Sequence, residues 1–120
     1  MKVFKFGKEL RLLTAEDYQD VFGQVDAKVQ HRNLLLLARC NHRKTHRLGL
    51  IVAKKHVRRA VHRNRIKRIA REMIRSRPTS QPCLDVIVLA RPGLDRMDNR
   101  RLSAILRQQW QALTNKSCAL

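Results

Sequence analysis

Acidic residues are scarce in this chain of 120 residues: nine Asp and Glu stand against 27 Lys and Arg, a formal net charge of +18. A compact body carrying so much like charge repels itself unless a polyanion rests against it, and the candidates are nucleic acid or an anionic membrane surface. Long apolar runs are missing as well. The longest, Leu34 to Ala38 and Val86 to Ala90, have five residues each, against the ~20 that a spanning helix needs. The opening Met1 to Glu9 lacks an apolar stretch followed by a small-residue cleavage site, so no signal peptide is expected. Glu9, Glu16 and Asp17 follow too closely for a transit peptide. Cysteine is confined to Cys40, Cys83 and Cys118. They are odd in number, far apart and without CxxC spacing, so neither a disulfide framework nor a thiolate zinc site is expected, and a reducing cytoplasm fits.

Catalytic groups are equally sparse. The acids are scattered along the chain, and the closest group, Glu16, Asp17 and Asp20, falls in the first turns of a helix, where acids oppose the macrodipole. A protein-held Mg²⁺ site of clustered carboxylates is therefore not expected, and neither is any catalytic residue. Cys40, His42 and His46 have a spacing that could reach one metal, but the sequence offers no fourth ligand for a structural zinc. GxxxxGK, GxSxG and dinucleotide fingerprints are absent.

What is present is enough apolar residue, 43%, for one folded domain over 1–120. Residues 1–13 read as a basic lead-in ending in Leu10, Leu12 and Leu13. Thr14 and Asp17 form a capping-box pair, opening a helix with Tyr18, Val21 and Phe22 on one side and an end near Gly23. Val25 to Gln30 alternates and predicts a short edge strand. Asn33 to Arg39 and Leu48 to Lys54 have strand length, and the polar Cys40 to Arg47 between them predicts an antiparallel hairpin. The longest element, about 59–77, repeats Ile66, Ile69, Ala70, Met73 and Ile74 at helical spacing. Leu84 to Ala90 is a further strand. Asp98 caps a last helix carrying Leu102, Ile105, Leu106, Trp110 and Leu113, and residues 115–120 are expected to fray. The pattern predicts an α+β layer architecture in which a long helix crosses between two strands.

Charge placement narrows the function. Between Lys54 and Arg77 there are eleven Lys or Arg and one acid, Glu72. Asn64, Lys67, Arg68, Arg71 and Arg75 point away from the apolar stripe, with Arg63 and Arg65 flanking it. Arg63, Lys67, Arg71 and Arg75 repeat at i, i+4, where like charges destabilise an isolated helix. Folding selects against that ladder, and a phosphate backbone rewards it. Guanidinium also suits bidentate phosphate contact. Arg43, Lys44 and Arg47 in the loop, with Arg100, Arg101 and Arg107 in the last helix, spread the charge over several elements. That distribution favours a folded RNA over a membrane plane.

The segment Ala60-Val-His-Arg-Asn-Arg-Ile-Lys-Arg-Ile-Ala-Arg71 closely resembles the signature of the bacterial ribonuclease P protein subunit. Arg11-Leu12 before a helix bearing Tyr18 and Phe22, the Gly-centred Leu48 to Lys55, and Asp85 to Arg91 match other motifs of that family in order, so the likeness covers nearly the whole chain. Arg59 stands where the family usually has a small or Asn residue, and Tyr18 where Phe is commoner. The resemblance implies a ribosomal-protein-like two-layer α+β sandwich, ordered α-β-β-β-α-β-α around a mixed four-stranded sheet. It also implies a left-handed β-α-β crossover, a hand that the general rule disfavours.

The same resemblance implies a function. The protein would bind a catalytic RNA that removes the 5′ leader of precursor tRNA, with Mg²⁺ bound mainly by the RNA and the protein monomeric by itself. Arg59, Arg63, Asn64, Arg65, Lys67, Arg68 and Arg71 would contact the catalytic RNA. Tyr18, Phe22 and outward side chains of the 33–39 strand, taken as Leu34 and Leu36, would line the leader cleft. Lys54 and Lys55 are placed with the leader, although either role suits the strand end. Exposed aromatics stack on bases with little sequence preference, yet i, i+4 apolar spacing equally describes core packing for Tyr18 and Phe22. The alternative reading is a ribosomal or ribosome-assembly RNA-binding protein. A helix-turn-helix DNA binder lacks support, since no second helix abuts the basic one across a short turn.

Overall fold

Local signals set the element ends in the computed structural model, which describes residues 10–77 and 83–116. Most of the expected lead-in and the last four residues lie outside that range. Helix α1, Ala15–Gly23, opens with the expected capping box: Asp17 N–H donates to Thr14 Oγ1, and the Asp17 carboxylate accepts from Thr14 N–H. Strands β1 (Ala27–His31), β2 (Leu34–Cys40) and β3 (Arg47–Ile51) follow, then α2 (Ala60–Arg75), β4 (Leu84–Ala90), a 3₁₀ turn at Leu94–Arg96, and α3 (Asn99–Lys116). Asp98 Oδ1 accepts from Arg101 N–H at the start of α3. Asn115 and Lys116, expected to fray, are helical.

The sheet order is β1-β2-β4-β3. β1 and β2 form the hairpin, antiparallel and paired from Ala27 with Ala38 to His31 with Leu34. The expected hairpin between β2 and β3 does not form. Instead β4 lies between them, antiparallel to β2 and parallel to β3, so that α2 is the crossover of a β-α-β unit. The reason is apolarity: β4 is buried at six of seven positions, and a strand buried on both faces is best placed at the centre of a sheet. Neighbours in sequence are neighbours in a sheet only as a tendency.

One face of the sheet carries Val29, Leu34, Leu36, Ala38, Val86 and Val88 against Ile66, Ala70, Met73 and Ile74 of α2 and Leu102, Ile105, Leu106, Trp110 and Leu113 of α3. Each such large side chain, fully buried, contributes about 1.5–3 kcal/mol. This helix-on-sheet layer is the main core. The opposite face is covered in part by α1, through Leu12, Val21, Leu37 and Ile87, with Tyr18, Leu35, Ile51 and Leu89 half-buried around them. That second face stays partly open.

The exits of the strands are tied together near β4's end. Gly93 has φ +94°, a left-handed turn that favours glycine, and a Cβ there would come within 2.6 Å of Asn33 Nδ2. Asn33 uses that amide to donate to Pro92 O at 2.8 Å, and its own carbonyl accepts from Arg91 N–H at 2.9 Å. Cys83 is buried, and burial pushes its thiol pKa up. Contrary to the expectation from spacing, Cys40 is disulfide-bonded.

Candidate nucleic-acid interface

Helix α2 is unbroken from Ala60 to Arg75, about 24 Å at 1.5 Å per residue. It starts without a side-chain cap at Arg59 and with no acid in its first turn, so its N-terminal dipole adds to the surrounding positive charge rather than offsetting it. Its lone acid, Glu72, pairs with Arg75. Asn64, Lys67, Arg68 and Arg71 make no side-chain hydrogen bond or ion pair among the described residues. The other acids in ion pairs lie elsewhere: Asp20 faces Arg39, while Asp17 and Asp85 face Arg47. The ladder on α2 is therefore largely uncompensated.

Two of the expected RNA contacts behave differently. Arg63 Nη1 donates to the carbonyls of Val57 and Arg58 at 3.1 and 2.7 Å, pinning the segment that leads into the helix. Arg65 Nη1 donates to Met97 O at 2.7 Å and Asn99 Oδ1 at 2.9 Å, and its Nη2 to Asp95 O at 3.0 Å. Its guanidinium is turned onto the 3₁₀ turn and the start of α3, so Arg65 is a clamp between elements rather than a cation facing outward. Its position at the margin of the apolar stripe makes this reach possible.

The remaining cations open into three concavities. Around the start of α2, Lys55, His56, Arg58, Arg59, His62 and Arg96 surround a groove of about 430 Å³ with one acid, Asp95. Between α2 and α3, Arg68, Arg77 and Arg107 rim a groove of about 470 Å³ floored by Ile69 and Met73. At the outer edge of β3, Arg11, Lys67 and Arg71 meet Tyr18, Leu12, Leu48 and Leu50 around a cleft of about 230 Å³. Lys55 thus belongs with the start of α2, while Lys54 is exposed just after β3.

On the opposite face, the strand parity corrects the expected cleft lining. Leu34 and Leu36 have no exposure and pack into the helix-side core. Leu35, Leu37 and Arg39 point to the α1 side instead. Four consecutive leucines carry no alternation, but Arg39 was the available signal: a cation at that position puts 35, 37 and 39 on the less buried face. Arg11, Arg58, His62 and Arg96 were also missed, because they enter the surface from loops and helix ends rather than from a patterned face.

The two aromatics separate. Phe22 is 46% exposed. Tyr18 is half-buried, its ring against Gly49 and its hydroxyl oxygen accepting from Leu50 N–H at 3.2 Å. Beneath α1, Arg47 donates to both carboxylate oxygens of the buried Asp85, from Nε at 2.8 Å and Nη2 at 2.7 Å, and Asn41 Nδ2 donates to Asp85 at 2.9 Å. Donating to the Asp85 carboxylate holds the Arg47 pKa above its ordinary value. Leu13 N–H, donating to the Asp17 carboxylate, is the main cause holding that carboxyl below its usual range. This network fixes α1 on the sheet. His46, one of the three residues with metal-like spacing, is buried, accepts from Leu84 N–H at Nδ1 and meets Trp110 edge-on.

Comparison with known proteins agrees with this geometry. A family model described as Ribonuclease P matches residues 6–114. The ribonuclease P protein component of Marinobacter nauticus is 48% identical over 116 residues, 97% of this chain and 87% of that protein. That of Chromohalobacter salexigens is 47% identical over 90% of this chain and 84% of its own length. Among solved structures, the Staphylococcus aureus RNase P protein superposes with a TM-score of 0.75 at 28% identity, covering 86% of this chain and 94% of that one. The Thermotoga maritima RNase P protein gives a TM-score of 0.68 at 26% identity, over 88% and 96%. With its α+β fold, its four-stranded mixed sheet and an uncompensated basic crossover helix in place, the chain belongs to the ribonuclease P protein family.

Proposed function

We propose that this chain works in the cytoplasm as one domain, the RNA-binding subunit of a ribonucleoprotein whose catalytic RNA removes the 5′ leader of precursor tRNA. The observation that carries the proposal is α2: a 16-residue helix whose Lys67, Arg68 and Arg71 have no counter-ion among the described residues. With Arg59 and Lys55 at its start, these side chains neutralise phosphates of the catalytic RNA, and each such contact releases counterions. The exposed Phe22 and the half-open strand face bearing Leu35 and Arg39 take the single-stranded leader, with Phe22 as the stacking platform. Tyr18 serves there through its edge and hydroxyl, since its ring is occupied against Gly49.

The chemistry of bond cleavage belongs to the RNA in this reading. Mg²⁺ is assigned to the RNA partner and no step to the protein, as the family resemblance implies. No helix among the described residues is long and apolar enough to cross a membrane, and no membrane role is proposed. Reconstitution tests the assignment. Purified protein is mixed with a bacterial ribonuclease P RNA and a precursor tRNA at low Mg²⁺. The expected result is a gain in 5′ cleavage and tighter binding of the precursor than of leaderless tRNA. No gain in cleavage would discard the proposal and favour a ribosomal or assembly role.

A further inference from the structure

The cleft at the edge of β3 joins two surfaces that the family resemblance treats as separate. Tyr18 comes from α1, Leu50 from β3, and Lys67 and Arg71 from α2, with Arg11 at the rim. Three cations and no acid line it. Its volume of about 230 Å³ equals that of roughly eight liquid waters, room enough for a tetrahedral phosphodiester group. Lys67 and Arg71 are half-buried, one turn apart, and their head groups have no hydrogen-bond or ion-pair partner among the described residues. Partly desolvated like charges at that spacing are unfavourable by themselves. An anion between them reverses the sign.

The strand edge beneath the cleft is already closed. Leu12 N–H donates to Leu48 O at 3.0 Å, and Tyr18 accepts from Leu50 N–H at 3.2 Å, so no bare ladder is left there for another strand to extend. Tyr18 cannot slide away, because its ring rests so closely on Gly49 that a Cβ there would fall 2.7 Å from Cε2. A phenol whose oxygen accepts one hydrogen bond keeps its own proton to donate. That proton is a neutral donor beside Lys67 and Arg71.

We propose that this cleft is a phosphodiester subsite. Tyr18 donates to a non-bridging oxygen whose charge Lys67 and Arg71 neutralise, so that an RNA strand crosses from the α2 surface to the α1 surface over the edge of β3. The proposal rests on the RNA-binding reading above and adds a defined crossing point to it. It also makes the Tyr18 hydroxyl, rather than its ring face, the group that meets RNA.

The test uses the whole ¹⁵N-labelled protein with inorganic phosphate, then a short single-stranded oligoribonucleotide, as probes, followed by binding to catalytic RNA, precursor tRNA and leaderless tRNA. The Leu50 amide signal is expected to shift and saturate with both probes. Tyr18→Phe, which keeps the ring packing, is expected to weaken RNA affinity by roughly three- to tenfold. Lys67→Gln with Arg71→Gln is expected to lower the salt slope of binding by about 1.5. A Tyr18→Phe effect confined to leader-bearing precursor identifies the crossing strand as the leader; an equal effect on catalytic RNA alone identifies that RNA. The proposal is overturned if the Leu50 amide stays unmoved and Tyr18→Phe binds as tightly as the parent while the parent protein still stimulates cleavage. Absence of that stimulation would instead remove the RNA-subunit reading itself.

Discussion

Replacing Gly49 with alanine tests how tightly α1 is seated on the sheet. The new Cβ would lie 2.7 Å from Tyr18 Cε2, 2.8 Å from Leu12 Cδ1 and 2.9 Å from Tyr18 Cζ. Neither neighbour retreats freely. Tyr18 is held at its far end by Leu50 N–H, and Leu12 through its backbone N–H to Leu48 O. Overpacking of this kind costs about 1–3 kcal/mol, while the loss of glycine's freedom in the unfolded chain returns about 0.4–1 kcal/mol. The net expectation is a loss of about 1–2 kcal/mol. At an unfolding entropy of about 2.1 cal/mol/K per residue, that lowers Tm by roughly 4–8 °C. Urea unfolding of Gly49→Ala, Tyr18→Ala and the double variant completes the measurement. Two of the three close atoms vanish with the phenol ring, so the glycine substitution is expected to cost about 1 kcal/mol less in the Tyr18→Ala background. An equal cost in both backgrounds, or an unchanged Tm, would refute the account of Tyr18 as a ring wedged over Gly49.

The clamp and the ladder on α2 separate by substitution: Arg65→Ala is expected to lose about 2–3 kcal/mol of stability, because charged donors to three acceptors disappear. Arg68→Ala leaves stability within about 0.5 kcal/mol but reduces the salt slope of RNA binding by about 1. Thermal melts and salt titrations distinguish the two, and equal melting points would contradict the clamp. Asp85→Ala strands the Arg47 guanidinium under α1 and is expected to cost about 3–5 kcal/mol, read from urea midpoints. Asp17 has a folded pKa below its ordinary 3.8, so the unfolded chain binds its proton first as pH falls. The stability it contributes is complete above about pH 5 and is lost as pH drops through 3.8 and the lower folded value. Asp17→Asn is therefore expected to destabilise at pH 7, with a deficit that shrinks as pH falls below 3.8. A deficit that does not shrink on acidification would assign the effect to something other than charge.

Element types were legible because periodicity and end signals agreed. Thr14 with Asp17, the Ile66 to Ile74 stripe and Asp98 before Leu102 each pair a start or stop with a repeat, and α1, α2 and α3 lie where those signals put them. Strand pairing was not legible. The choice between β2–β3 and β2–β4 contact depends on which strand needs burial on both faces, a property of the whole sheet. Face assignment failed for a related reason: Leu34 to Leu37 is uniform, and only Arg39 breaks the symmetry. The roles on α2 divided where geometry, rather than residue type, decides. Arg65 and Arg68 read alike as guanidinium groups, yet their positions, 300° apart at 100° per residue, send one onto backbone carbonyls and the other into the α2–α3 groove.

The scarcity of acids gains a physical meaning once their positions are known. Asp17, Asp20 and Asp85 serve the α1 side of the sheet through Arg39 and Arg47. There they hold a short helix whose own apolar contact is small, with Val21 its one fully buried side chain. Helix α2 needs no such help, because four buried side chains anchor it to the main core. Apolar packing therefore holds the element that carries the uncompensated cations, and ion pairs hold the element that borders the open cleft. If the assignments were reversed, the acids would neutralise the very ladder that a phosphate backbone requires, and α1 would lose its seat. A net charge of +18 is thus tolerated because the repulsion falls on the best-anchored helix, with three concavities around it in which a polyanion can relieve it.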